Sequence, residues 1–412
     1  MARISVGTAL RAAFPCGRVA RPVVTQQRWF SHSPVARKSQ HVVTFTPTSS
    51  TELDSLLNTV REQRIMPMYL SPQERKRIYR AREIQKLKND PPTVTIDGEV
   101  HKFTYTDRHK DLADVRKTTM GAIKLMKTSE DWANLSRLLV GLHHMAKMQW
   151  WDNDKGDRTK LARRAGTQDR IFTIIECARQ VADTGFKLDD PELIAEIMYW
   201  VQWKAFAGFE ASSFADASAA AAKRKPWPDA GLTRKALRWA DMVVELLQLP
   251  EHEPTAGPHS QPSGFALRDD PKWIVAQLHL AAALVVKHKL PEEEIEAARK
   301  RVTQLASTLV KRWPAGKGFQ SMQAPKDPSD KSLLYLKHPN RIVREGALVL
   351  SALDLAMASV EPELAAELKS RRDPTYAEVN DTLAQGPDGQ RTGRIVYDFL
   401  FGTNHILPLS EK

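Results

Sequence analysis

The chain has 412 residues, 42% of them apolar and 27% charged, with a formal net charge of +12. At about 100–200 residues per domain, that length holds two domains or one elongated array, and the apolar share is enough for a sizeable core. Its two cysteines, Cys16 and Cys177, exclude a disulfide-stapled domain and a cysteine-based zinc site. The absence of a run of ~18 apolar residues excludes a membrane-spanning helix.

From Met1 to Val35 there is no acidic residue, and the first is Glu52. Arg3, Arg11, Arg18, Arg21 and Arg28 lie there among small and hydroxylated residues, with Arg37 just beyond. Arg-rich, Ser-containing and acid-free is the composition of a mitochondrial transit peptide. A secretory signal needs a continuous apolar core of about 7–15 residues, which this segment lacks. Residues 1–37 are therefore read as a presequence, and the mature protein is expected in the mitochondrial matrix. The stretch Arg28-Trp29-Phe30-Ser31-His32-Ser33-Pro34-Val35-Ala36-Arg37 resembles the two-step matrix-processing site. The resemblance implies a first cut after Trp29 and a second after Arg37, and a single cut after Phe30 is the alternative. Cleavage after Arg37 removes six arginines and no acid, which lowers the charge to about +6.

Residues 38–107 read as a basic extension. Its first part, 38–50, is Thr/Ser-rich and expected to be a disordered leader. Thr51 is placed to cap a short helix to Arg64. Ser71-Pro72-Gln73-Glu74 is a capping box with Pro at the first helical position, and it predicts one helix over 71–88. Asp97-Gly98 between the β-rich runs 93–96 and 99–106 predicts a β-hairpin, the one convincing β structure in the chain. From Arg108 onward the pattern is helical, in a first part over 108–210 and a second over 231–412. Leu135, Leu138, Leu139 and Leu142 form one stripe, and Ile171, Ile174, Ile175 and Ala178 form the next, ended by Gly185. Asp190-Pro191 and Asp270-Pro271 start two further helices. An Ala/Ser-rich linker or insertion occupies 211–230, and loops are expected at 250–268 and 314–330. Short helices after Asp373-Pro374 and after Thr392 close the chain. Leu138, Leu142, Ile174, Ile194 and Ile197 are candidate core residues.

The segments Leu188-Asp189-Asp190-Pro191-Glu192-Leu193-Ile194 and Arg268-Asp269-Asp270-Pro271-Lys272-Trp273-Ile274 echo one another 80 residues apart, close to two hairpin repeats of about 34–45 residues. The fold class that follows is mostly α: a solenoid-like array of helical hairpins with a basic extension and one β-hairpin. The run Ile174-Ile175-Glu176-Cys177-Ala178-Arg179-Gln180-Val181-Ala182-Asp183-Thr184-Gly185-Phe186, followed by Asp190-Pro191, resembles one pentatricopeptide-type unit. That family has a helix, a Gly-containing turn and a second helix opened by Asp or Pro. The tetratricopeptide signature is absent.

Candidate chemistry fails on spacing. Asp152-Asn153-Asp154-Lys155-Gly156-Asp157 imitates a calcium loop, but its glycine falls one position early and Arg163 stands where a bidentate Glu is needed. Pro314-Ala315-Gly316-Lys317-Gly318-Phe319 imitates a phosphate loop, without the first glycine and without the Ser or Thr that binds magnesium. His143 and His144 point about 100° apart on a helix and cannot chelate one ion. His279 and His288 are too far apart on one helix to pair. No catalytic, cofactor or metal site is recognised, and no enzyme activity is expected. Trp150-Trp151 and the Trp200/Trp203 pair read as helix packing, with a base-stacking platform as the alternative.

The 71–88 segment is the most informative mature feature, with Arg75, Lys76, Arg77, Arg80, Arg82 and Lys86 as candidate contacts to RNA or to a ribosomal surface. Smaller basic clusters are Arg163-Arg164, Lys223-Arg224-Lys225, Arg299-Lys300-Arg301 and Arg371-Arg372. The expected function is a non-catalytic helical scaffold in mitochondrial gene expression, RNA-binding or associated with the mitoribosome. Its expected partners are mitochondrial RNA or the mitoribosome and other mitochondrial proteins, with room for peripheral membrane contact. The alternative is an assembly factor for a respiratory complex.

Overall fold

The computed structural model describes residues 43–96, 99–145, 156–207, 226–254, 265–323, 333–385 and 392–402. The presequence, Trp150-Trp151, the turn Asp97-Gly98, the cluster Lys223-Arg224-Lys225 and most of 211–230 lie outside these residues.

Residues 43–50 are held against the body instead of forming a free leader. Val43 is buried, the backbone and hydroxyl of Thr46 donate to Asn134 Oδ1 at 2.9 and 3.0 Å, and those of Ser49 donate to the two oxygens of Asp131 at 2.8 Å. Two further amides, from Lys127 and Thr128, also donate to Asp131. Burial pushes its carboxyl up, but these donors hold it down at about 2. Helix α1 (Thr51–Val60) is capped by Ser50, one residue before the expected Thr51, and passes through a π-turn (Arg61–Ile65) into a 3-10 turn (Met66–Tyr69). Its Leu53, Leu57 and Val60 enter the main core, together with Ile65.

After it come α2 (Pro72–Arg77), α3 (Ile84–Asn89) and an antiparallel pair, β1 (Thr93–Ile96) and β2 (Glu99–Lys102), with Thr93 opposite Lys102. The second strand is shorter than expected. Beyond Lys102, Phe103 donates to Pro92 O, and Thr106 donates to Ile78 O at 2.9 Å, so the chain turns to pack on the α2 region.

The body is helical throughout its described part. It contains α4 (Val115–Leu125), α5 (Ser129–Val140), α6 (Gly156–Thr167), α7 (Ile171–Arg179) and the short α8 (Val181–Thr184), then α9 (Pro191–Ala207), α10 (Ala230–Leu246), α11 (Pro271–Val286) and α12 (Glu292–Arg312). The short α13 (Phe319–Met322), α14 (Pro339–Met357), α15 (Pro362–Gln385) and α16 (Thr392–Phe401) follow. Gly185 ends α8 in the left-handed conformation at φ 67°, as the sequence predicts. Leu138, Leu142, Ile174, Ile194 and Ile197 are all buried.

Side-chain bonds fix how the later helices run. Near their starts, Glu192 of α9 meets Arg341 of α14 at 3.0 Å and Lys272 of α11 meets Tyr335, just before α14, at 2.6 Å. Further along, His279 of α11 bonds Gln202 of α9 and Ser351 of α14, both at 2.9 Å. The three helices therefore lie side by side and run the same way. In a second layer, α10 and α12 are joined by Arg234–Glu294 at 2.5 Å and Arg301–Asp241 at 2.8 Å, in matching order along both. Asp241 also accepts from Gln277 and Thr233 meets His288, so α10 runs against α11. Arg372 of α15 pairs with Asp354 of α14, and Arg371 donates to Val310 O in α12 and to Trp313 O. The result is three successive hairpins: α9/α10, α11/α12 and α14/α15. The two Asp-Pro helix starts, read as two repeats apart, open first-layer helices of neighbouring hairpins. Long connections make up the separation.

First-layer helices are buried nearly all round; every residue from Pro271 to Leu284 in α11 is buried. Polar groups enclosed there must be paired. Glu196 accepts from Arg163, Arg341, Arg344 and Trp200 Nε1, and the Arg344 guanidinium lies 4.0 Å over the Tyr199 ring. Burial pushes Glu196 up, but the guanidiniums of Arg344, Arg341 and Arg163 outweigh it and hold the carboxyl well below its ordinary range. Cys177 is a buried core thiol, pushed up to about 12 by burial.

Candidate nucleic-acid interface

The interface begins at the capping box. Ser71 Oγ accepts from the Glu74 amide, and Glu74 Oε2 accepts from the Ser71 amide and hydroxyl at 3.1 and 2.6 Å. Those bonds from Ser71 hold the Glu74 carboxyl below its usual range. The expected single helix over 71–88 is broken, however. Arg80 has extended backbone (φ −104°, ψ 115°), a 3-10 turn spans Ala81–Glu83, and α3 restarts at Ile84. The reason is apolar. Ile78 and Leu87 are buried with Leu70 in a small core of their own, against Tyr79, Val94, Phe103 and Tyr105. They are nine positions apart, half a turn round one straight helix, and the break lets both turn inward. This segment therefore contributes more core than its sequence indicates.

The break spreads the charges. Lys76, Arg80, Arg82 and Lys86 are exposed, while Arg75 and Arg77 are half-buried, with Arg75 Nη1 3.3 Å from Met68 Sδ. Arg82 and Lys86 approach Glu83 at 3.7 and 3.8 Å but remain 73% exposed, and such pairs bind weakly. The structure thus places the six residues along one short, irregular ribbon.

Other basic clusters have partners within the chain, some of them at the surface. Arg163 pairs with Glu196, and Arg164 donates to Lys124 O. Arg299 and Arg301 pair with Glu296 and Asp241. Arg371 is buried among carbonyls. Trp200 and Trp203 are buried, which removes the stacking-platform reading for that pair. His279 is enclosed, and burial takes its imidazole down to about 3. Gly156 and Asp157 begin α6, where Asp157 pairs with Arg116 and Lys160.

One feature of the interface has no signature in the sequence. A cleft of about 480 Å³ opens between the π-turn after α1, Ile78 and Tyr79 just past the end of α2, and the end of β2 with the residues that follow it. Tyr79 lines it, with the Arg108 guanidinium 4.5 Å over its ring. Burial raises the Tyr79 phenol, opposed by Arg108, Arg64 and Arg75. The cleft joins segments about 40 residues apart, so no local motif could show it.

A two-layer helical array that carries an exposed basic ribbon defines a scaffold-type helical protein. The family model described as mitochondrial ribosomal protein mS27 (Mrp13) matches residues 28–398, and the chain belongs to that family. It is thus a mitochondrial ribosomal protein, associated with the mitoribosome in the matrix. The small ribosomal subunit protein mS27 of Neurospora crassa is 29% identical over 394 residues, covering 92% of this chain and 93% of that one. The family decides for the gene-expression reading over the respiratory-assembly alternative.

Proposed function

We propose that this chain is a non-catalytic component of the mitochondrial small ribosomal subunit, anchored to ribosomal RNA by residues 71–88. Arg75, Lys76, Arg77, Arg80, Arg82 and Lys86 provide the phosphate contacts, and the hairpin array provides surfaces for neighbouring proteins. The observation that carries this reading is the contrast in how basic residues are used. Arg163 and Arg301 are closely ion-paired with Glu196 and Asp241 although partly exposed, and Arg371 is buried, whereas Lys76, Arg80, Arg82 and Lys86 are exposed and at most loosely paired with Glu83. A cluster of cations that stabilises nothing internally suits a phosphate backbone. The hairpin from α7 to α9 is assigned to the pentatricopeptide type, and residues 1–37 to a presequence read at Arg28, Trp29, Phe30 and Arg37. By charge, we divide the chain into an extension over 38–107 and two parts of the array over 108–210 and 231–412, with 211–230 as the linker or insertion between them.

Charge reversal at Arg75, Lys76, Arg80 and Arg82 tests the anchor. Wild-type protein should co-sediment with the small subunit, and its retention should fall steeply as salt rises, each phosphate contact adding roughly one unit to the log–log slope. The quadruple variant should dissociate at lower salt with a shallower slope. Identical sedimentation of variant and wild type would remove this ribbon as the RNA contact. N-terminal sequencing of the mitochondrial form should begin at residue 38 or at Phe30 or Ser31; a start near Met1 would end the presequence assignment.

A further inference from the structure

The cleft beside the basic ribbon has dimensions and chemistry of its own. Its volume of about 480 Å³ lies within the roughly 300–1,000 Å³ of sites that enclose small molecules. Its lining mixes charges. Arg61 and Lys102 supply cations, Glu62 and Asp111 supply carboxylates, and Tyr79 and Phe103 supply aromatic surface. Arg61 donates Nε to Val43 O at 2.9 Å, which fixes the guanidinium in place. Asp111 Oδ2 accepts the Asp107 amide at 2.8 Å, which fixes that carboxylate too.

A free anion does not suit this lining, because Glu62 and Asp111 would repel it. A wholly apolar group would make no use of these polar groups. An unpaired nucleobase fits both halves. It carries no charge, it offers a π-face to Tyr79, and its exocyclic amine can donate to a carboxylate as cytosine N4 does to Glu or Asp. RNA single strands are read in this way, by bases splayed out onto aromatic side chains. The strand's phosphates would then lie at the rim, by Lys102 and the ribbon that follows Tyr79 with Arg80 and Arg82.

We propose that the cleft receives one extruded, amino-bearing base of ribosomal RNA (adenine, cytosine or guanine), stacked on the face of Tyr79 that Arg108 does not cover and held at its amine by Glu62 or Asp111. This rests on the RNA-anchoring reading of residues 71–88 and adds a base-specific contact to it. The carboxylates give the contact its selectivity, since uracil has no exocyclic amine to donate.

The test is chemical probing of RNA in intact mitochondrial small subunits, with dimethyl sulfate for adenine and cytosine and kethoxal for guanine. Three forms are compared with wild type: Tyr79→Ala, the double variant Glu62→Gln/Asp111→Asn, and the quadruple charge reversal. The double variant changes exposed positions only, so it separates loss of the contact from loss of the local fold. One unpaired nucleotide should be protected in wild-type subunits. Its reactivity should rise about ten-fold in Tyr79→Ala and in the double variant, as expected from losing one base–aromatic stack or its hydrogen bond, while neighbouring positions stay unchanged. If the charge reversal exposes a tract of RNA but neither cleft variant alters a single nucleotide, the base-binding proposal is overturned and the ribbon stands. If none of the three alters RNA reactivity, both are overturned.

Discussion

Glu196 shows what individual side chains do in the first layer of the array. Its carboxylate is fully enclosed and would be too costly to ionise alone. Arg341 at 2.6 Å and Arg344 and Arg163 at 3.1 Å keep it charged. Removing one member strands the others, so Glu196→Ala should destabilise the protein by about 3–5 kcal/mol in denaturant unfolding. His279 behaves oppositely, being buried neutral between Gln202 and Ser351. Its folded value is depressed from 6.5 to about 3, so below 6.5 the unfolded chain binds the additional proton. Its contribution is complete above 6.5 and declines as the pH falls toward about 3. At pH 5 the loss should be about 2 kcal/mol. Melting at pH 7 and pH 5 tests this, because His279→Gln should flatten the difference; an unchanged difference would place the sensitive group elsewhere. Neither residue was legible in the sequence. The partners of Glu196 reach 148 positions away, and His279 reads there only as one of two unpaired histidines.

At the level of elements, local chemistry was legible and tertiary override was not. The Ser71 capping box, the Gly185 cap and the Asp-Pro helix starts all form where local rules place them. The helix over 71–88 breaks because burial of Ile78 and Leu87 outweighs one or two backbone bonds. Pro374 gives the reverse case. A new helix was expected after it, yet α15 runs straight through. A proline removes the amide that would bond the carbonyl four residues earlier, and here that carbonyl, Ser370 O, accepts from Gly316 at 3.1 Å instead. The loop at 314–318 thus repairs a helix nearly 60 residues away. Gly316 achieves this at φ 75°, with nothing within 4 Å of a built Cβ. Gly316→Ala should therefore cost about 1 kcal/mol through backbone strain alone. A melting shift is the readout, and no change would mean that the loop does not depend on the left-handed backbone.

Across the whole molecule, the boundary between extension and body falls elsewhere than composition indicates. Charge divides the chain near residue 107, but packing divides it near residue 66. Leu53, Leu57, Val60 and Ile65 share the core of the array, and Asp131 holds residues 43–50 against α5. Leu70, Ile78 and Leu87 form a separate small core with the hairpin. Stability should follow packing, since segments with few buried apolar contacts open locally at low free energy. In native-state hydrogen exchange, amides of α9, α11 and α14 should exchange only through global unfolding, and those of α1 should exchange with them. Amides of 71–106 should exchange faster, through an opening that leaves the array intact. If residues 71–88 are the RNA anchor, assembly into the subunit should slow 71–106 far more than α1, because the new contacts would fall on that part. Exchange of α1 together with 71–106 would restore the compositional boundary. Equal slowing of both on assembly would mean that the RNA-facing surface extends over the array.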